Sequence, residues 1–177
     1  YSAFDEIILK WGLHKVEIIG DAYFISAGCP VPDDDSERVL PDEYAMRAVE
    51  VALALQRTLP AVVDDASVQM RVGIHTGSVI AGVVGKKGPR YQLFGPSVSY
   101  ANEMESKGLP GRVHISDTTH ELLILGGHAY EFEERKVEID GEDEPHRTWF
   151  VNKSKSAKAR EMQKALIVRR RSQIQDG

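Results

Sequence analysis

The sequence predicts an α+β sandwich, and three observations predict it: apolar residues recur at helical spacing in two segments, short β-like runs are joined by tight turns, and helices alternate with those strands and hairpins. At 177 residues the chain fits one domain with a tail and can bury a sizeable core. Its 42% hydrophobic content, with 22 basic and 27 acidic residues interspersed to a net −5, describes a folded protein in water. That balance excludes a nucleic-acid binder that is basic throughout. Cys29 is the single cysteine, so there is no disulfide framework and no cysteine metal cluster, which fits a reducing compartment. No apolar run approaches the roughly 18 residues of a membrane span, and nothing at the start resembles a signal peptide.

Phe4, Ile7, Ile8 and Trp11 predict an amphipathic helix. The chain opens inside it without a methionine, so further sequence is expected upstream. Two β-like runs follow, 15–19 and 22–27, joined at Gly20-Asp21 as a tight hairpin with an acid at its tip. The Pro/Asp-rich stretch 30–41 is expected to be a surface loop. A helix is predicted over 42–58, with Tyr44, Met46, Ala48, Val49, Val51, Ala52 and Leu55 forming a broad apolar face and Pro60 stopping it. Strands are predicted over 68–74, 79–84 and 91–94, punctuated by glycines, and a helix from Pro96 to about Ser106. Gly108-Leu-Pro-Gly is a turn, 112–115 a strand, and Ser116-Asp117 the cap of a short helix to Leu125. Segments 131–139 and 147–151 close the pattern as a hairpin. Residues 153–177 hold eight basic and two acidic residues, a net of +6 that leaves −11 for 1–152. This basic C-terminal tail, 152–177, is expected to be a solvated extension rather than a place for chemistry.

Residue chemistry alone offers few sites. Asp21, flanked by Gly20 on a tight turn, can approach a divalent ion, although turn aspartates are common. The glycines of Arg71-Val-Gly-Ile-His-Thr-Gly-Ser, Ala81-Gly-Val-Val-Gly and Arg90-Tyr-Gln-Leu-Phe-Gly could admit phosphates or simply mark strand ends. His75 has no partner at metal-ligand spacing and reads as a packed or surface histidine.

In order along about residues 4–151, the segments Lys15-Val-Glu-Ile-Ile-Gly-Asp-Ala-Tyr, Arg71-Val-Gly-Ile-His-Thr-Gly, Ala81-Gly-Val-Val-Gly, Pro89-Arg-Tyr-Gln-Leu-Phe-Gly, Met104-Glu-Ser-Lys-Gly-Leu-Pro-Gly and Val113-His-Ile-Ser closely resemble the class III nucleotide cyclase catalytic domain, its guanylate cyclases in particular. The resemblance implies a cyclase domain over 1–151 with a ferredoxin-like α+β fold, a mixed and mostly antiparallel sheet, and a head-to-tail dimer with a second cyclase domain. It further implies conversion of GTP to 3′,5′-cyclic GMP and pyrophosphate at the dimer interface, with two Mg²⁺ or Mn²⁺ ions held by two aspartates. Asp21 matches one of them. The strand carrying the other precedes residue 1 in the family, so the metal site is half built in this sequence.

Glu17 and Gln92 match the two base-reading positions. A carboxylate at 17 can accept from guanine N1–H and its 2-amino group, which adenine lacks. Guanylate cyclases usually carry Cys at the second position and adenylate cyclases Asp; the Gln92 amide can serve either base. Ser99 and Glu103 stand where the family places the Asn and Arg that stabilise the transition state, and Asp140 where it places a Lys that grips terminal phosphates. An acid in place of the Arg reverses the sign of its effect. Ala101-Asn102 and these replacements look like the α-type subunits of heterodimeric soluble guanylate cyclases. The function expected by that analogy is the metal-donating half of a dimer, in which the partner's residues decide base choice. A catalytically silent pseudo-cyclase that dimerises or regulates and an adenylate cyclase are the alternatives. A cytoplasmic setting is expected, including as the intracellular domain of a larger membrane protein.

Overall fold

The computed structural model of the chain describes residues 2–31 and 39–153. The elements are α1 (Ser2–Lys10), β1 (His14–Ile19), β2 (Ala22–Ser26), α2 (Pro41–Val62), β3 (Val72–Ile74), β4 (Ile80–Val84), β5 (Arg90–Phe94), α3 (Pro96–Ser106), β6 (Val113–Ser116), α4 (Asp117–Leu125), β7 (Tyr130–Val137) and β8 (His146–Lys153). The central sheet runs β3-β6-β8-β7, with β3 parallel to β6 and the other pairs antiparallel. Two hairpins, β1–β2 and β4–β5, form their own ladders.

Strand β6 explains the layering. All four of its residues are buried, because successive side chains point to opposite faces and both faces are covered. Val113 and Ile115 pack with Ala45, Val49 and Ala52 of α2 and Leu123 of α4. His114 points the other way, donating from Nδ1 to the Met104 carbonyl of α3 at 2.7 Å. The sheet is thus held between α2 with α4 on one side and α3 on the other. A second stripe of α2, Val51 and Leu55, meets Ile8 and Leu13, with Tyr23 and Ile25 of β2 packed against them. One helix therefore seats both the central sheet and the β1–β2 hairpin. Gly73 lets α3 come close: a Cβ there would lie 2.1 Å from the Glu105 nitrogen.

Most predicted elements stand within a residue or two. The Ser116 hydroxyl caps α4 by accepting from the Thr119 N–H. Two expectations need correction. Helix α2 continues through Pro60 to Val62, since a proline removes only its own N–H and the Val63 N–H still reaches the Leu59 carbonyl at 3.1 Å. The strand predicted over 68–74 shrinks to Val72–Ile74, where β6 offers three residues of parallel partner. The mixed, mostly antiparallel sheet stands as expected in β3-β6-β8-β7, with the two hairpins as separate ladders among the described residues. Residues 32–38 of the expected loop and 154–177 of the expected tail lie outside the described residues.

Candidate active site

The hairpin turn is built by sequence. Ile19 pairs with Ala22, leaving Gly20-Asp21 as a two-residue loop. Gly20 has φ +64°, and no other residue type in the described chain has positive φ. Positive φ at the first loop position alone is the II′ pattern that matches strand twist. Asp21 is exposed on the tip, and among the described residues no ion pair or hydrogen bond engages its carboxylate.

On β1 the register shifts between Lys15 and Glu17, so Val16 is an extra residue opposite β2. Such bulges re-aim side chains. Glu17 is half-buried and lines an open groove of about 480 Å³ with His14, Lys15, Val16, Ile18, Arg90 and Tyr91. The groove joins an acid to cationic residues of β1 and β5. Lys15 is paired to Asp5 at 2.8 Å. Gln92 follows Tyr91 on β5, opposite Gly82, but is not among the lining residues.

Helix α3 starts after Gly95 (φ +122°) with Pro96 in its first turn. Ser99, Glu103 and Lys107 recur every fourth residue and share one face. The Lys107 ammonium lies 3.0 Å from Asp140 and 3.6 Å from Glu103. The Asp140 hydrogen bond is the chief cause that raises the lysine's pKa above its usual range, with both acids adding electrostatic support. One Glu103 oxygen, Oε2, is buried without a hydrogen bond, so the lysine charge is its compensation. Arg135 donates to the Lys107 carbonyl at 3.1 Å, tying the helix end to β7. The structure thus brings Glu103 and Asp140 together around one cation, while Ser99 stands exposed a turn away.

His75 is a packed residue: its Nδ1 lies 2.8 Å from the Ser116 hydroxyl and its ring 4.5 Å from that of Tyr100, and burial lowers its pKa. Among the described residues no group of three or more His, Cys, Asp or Glu side chains could hold a metal ion. Lys107 was missed from sequence, although its i+4 spacing from Glu103 on a predicted helix was a usable signal. Tyr91 was missed too, and no local pattern announces its contacts.

The family profile of the adenylate and guanylate cyclase catalytic domain matches residues 1–153. Guanylate cyclase soluble subunit beta-2 of Rattus norvegicus is 42% identical over 145 residues, which is 80% of this chain and 20% of that protein. The membrane guanylyl cyclase of Dictyostelium discoideum is 41% identical over 137 residues, 76% of this chain and 9% of that one. This chain therefore spans at most about a fifth of these two relatives' length. Among solved structures, the guanylate cyclase domain of RhGC from Catenaria anguillulae in complex with GTP superposes with a TM-score of 0.75 at 32% identity, covering 87% of this chain and 80% of that one. From its motifs, its layered α+β fold and these matches, the chain belongs to the adenylate and guanylate cyclase catalytic domain family.

Proposed function

We propose that this domain is a guanylate cyclase subunit that supplies the metal-binding half of a dimeric active site, converting GTP to 3′,5′-cyclic GMP and pyrophosphate. The observation that carries the reading is the contrast between Asp21, unengaged among the described residues on its tight hairpin, and an α3 face where Glu103 and Asp140 surround Lys107. With two acids and one base, that face repels a triphosphate. The partner must then contribute the groups that hold the phosphates.

In the reaction the ribose 3′-oxygen attacks the α-phosphorus, the bond from that phosphorus to the β-phosphate oxygen breaks, pyrophosphate leaves, and the hydroxyl proton passes to solvent. Asp21 fits an Mg²⁺ or Mn²⁺ ion as a single exposed carboxylate on a tight turn, the usual contribution of one or two carboxylates completed by phosphate oxygens. Such an ion lowers the pKa of the 3′-hydroxyl and offsets triphosphate charge. In that arrangement the partner's base-reading residues decide which nucleotide is turned over, while Glu17, able to accept from guanine N–H groups in a half-buried groove, and Gln92 on β5 read the base on this chain's own side of the dimer.

A second cyclase domain is the natural cover for the β4–β5 hairpin, where Ile80 and Val83 are 71% and 69% exposed, and for Ile19 on β1. Solved relatives include both dimeric and monomeric guanylyl cyclase domains. No helix among the described residues is long and apolar enough to cross a membrane, and the relatives include soluble subunits and membrane cyclases; we place the domain in the cytoplasm, alone or within a larger membrane protein.

The test is cyclic-nucleotide formation from GTP and ATP with Mn²⁺, for the chain alone and mixed with a cyclase domain that keeps the Asn, Arg and Lys but lacks both metal aspartates. Cyclic GMP formed mainly in the mixture is expected. Silence in both, with dimerisation demonstrated, would move the assignment to a pseudo-cyclase, a reading the repulsive α3 face also favours. Preference for ATP by the chain alone would overturn the role of Glu17.

A further inference from the structure

Glu17 and Gln92 sit on different hairpins, and among the described residues no ladder joins β1–β2 to β4–β5. Their spacing must therefore be set by side chains. Tyr91 is a side chain that spans the gap. Its ring meets that of His14, the first residue of β1, edge-on at 5.6 Å and 86°. Its hydroxyl lies 2.8 Å from Cys29 Sγ, just beyond the end of β2, where the Cys29 carbonyl in turn accepts from the Ser26 hydroxyl. Tyr91 thus grips both roots of the β1–β2 hairpin from β5. It also lines the groove beside Glu17 and precedes Gln92. Burial, with the Cys29 hydrogen bond second, pushes the phenol up to about 12, so the hydroxyl keeps its proton through the working range.

We propose that Tyr91 is a positioning residue which, through its hydrogen bond to Cys29, fixes the distance between Glu17 and Gln92 and so sets the guanine-over-adenine selectivity of the groove. This rests on the base-reading roles proposed above. A hairpin free to shift relative to β5 still offers a carboxylate and an amide, but no longer at the separation that fits one base, so discrimination falls more than affinity.

The experiment measures binding of 3′-deoxyGTP and 3′-deoxyATP, which lack the attacking hydroxyl, to the full chain with Mn²⁺, alongside thermal unfolding. Losing one hydrogen bond predicts that Tyr91→Phe lowers the GTP-to-ATP affinity ratio about threefold to tenfold. Cys29→Ala should do the same, the double variant no more, and Cys29→Ser, which keeps a hydrogen-bonding atom, should retain the wild-type ratio. A selective wild type whose ratio survives Tyr91→Phe overturns the positioning role alone. Equal losses in Cys29→Ser and Cys29→Ala, tracking a fall in thermal midpoint, overturn it as well, because ordinary packing then accounts for the effect. A wild type that binds both nucleotides alike overturns the base-reading assignment on which it stands.

Discussion

The β1–β2 hairpin and the α3 face treat charge in opposite ways. On the hairpin, Asp21 stands at an exposed tip with its carboxylate unengaged among the described residues, and Glu17 opens onto a groove. On α3, Glu103 and Asp140 are drawn onto Lys107, and one Glu103 oxygen is buried against that charge alone. A free carboxylate is available to an ion that arrives from solution. A carboxylate already held by Lys107, at the end of α3, offers a phosphate nothing. The lesson is that the two regions treat their acids by different rules: one leaves them accessible, while the other commits them to internal ion pairing.

The largest expected effect falls on the hairpin. Asp21→Ala should lower cyclic GMP formation by the assembled dimer about a thousandfold, since a Lewis-acid ion supplies several kcal/mol and each 1.4 kcal/mol is tenfold. Activity surviving that change would erase the contrast between the two regions. Next in size is the attempt to rebuild the other half: Glu103→Arg with Asp140→Lys should raise homodimer turnover by about a hundredfold, the scale of one restored transition-state donor. Turnover unchanged, with the dimer intact, would mean that Ser99 or the backbone of α3 limits that half instead.

Structural coupling between α3 and the sheet gives a third, smaller effect. Gly73→Ala places a Cβ 2.1 Å from the Glu105 nitrogen, and overpacking of this kind costs about 1–3 kcal/mol. Chemical denaturation should show that loss, with α3 displaced while the hairpin keeps nucleobase selectivity. Loss of selectivity in the same variant would show the two regions to be one cooperative unit at the site.

Much of this was legible in sequence, and the failures have local causes. Gly20-Asp21, Pro96 after Gly95, and Ser116-Asp117 each carry backbone chemistry that dictates a turn, a helix start or a cap, so those elements stood where expected. Pro60 misled because the rule against proline in a helix concerns the lost bond at one residue, whereas α2 is held by Val51 and Leu55 against α1 and β2. Val68–Arg71 alternate as a strand should, yet among the described residues no partner strand reaches them; pairing is a tertiary fact. Of the site, the positions of Asp21, Glu17 and Glu103 could be picked out, but not the contacts made by Lys107 with Asp140 or by Tyr91 with Cys29, residues 33 and 62 apart in sequence.

The smallest effect concerns pH. His114 anchors α3 to the sheet from a fully buried position: the Met104 carbonyl can only accept, so Nδ1 carries the proton, and the bare Nε2 accepts from the Thr148 hydroxyl at 2.8 Å. Burial, with Arg135 adding a like charge, lowers the pKa below 6.5 despite the opposing Met104 bond. The folded state therefore binds a proton less readily than the unfolded chain. Its contribution is complete above pH 6.5 and is lost as pH falls below that value and through the depressed folded pKa, because the unfolded chain takes up protons first. Protonation would also force the Thr148 hydroxyl to reverse its role. Burial lowers His75, His120 and His128 in the same direction, and His75 and His114 border α3 itself. Thermal unfolding followed from pH 7.5 to pH 5 should show a falling midpoint, with stability dropping by on the order of 1 kcal/mol for each pKa unit by which a buried histidine is displaced. His114→Gln, which can keep a donor and an acceptor in place, should flatten the slope while lowering stability throughout. A slope unchanged by that substitution would place the acid sensitivity elsewhere and remove His114 as its source.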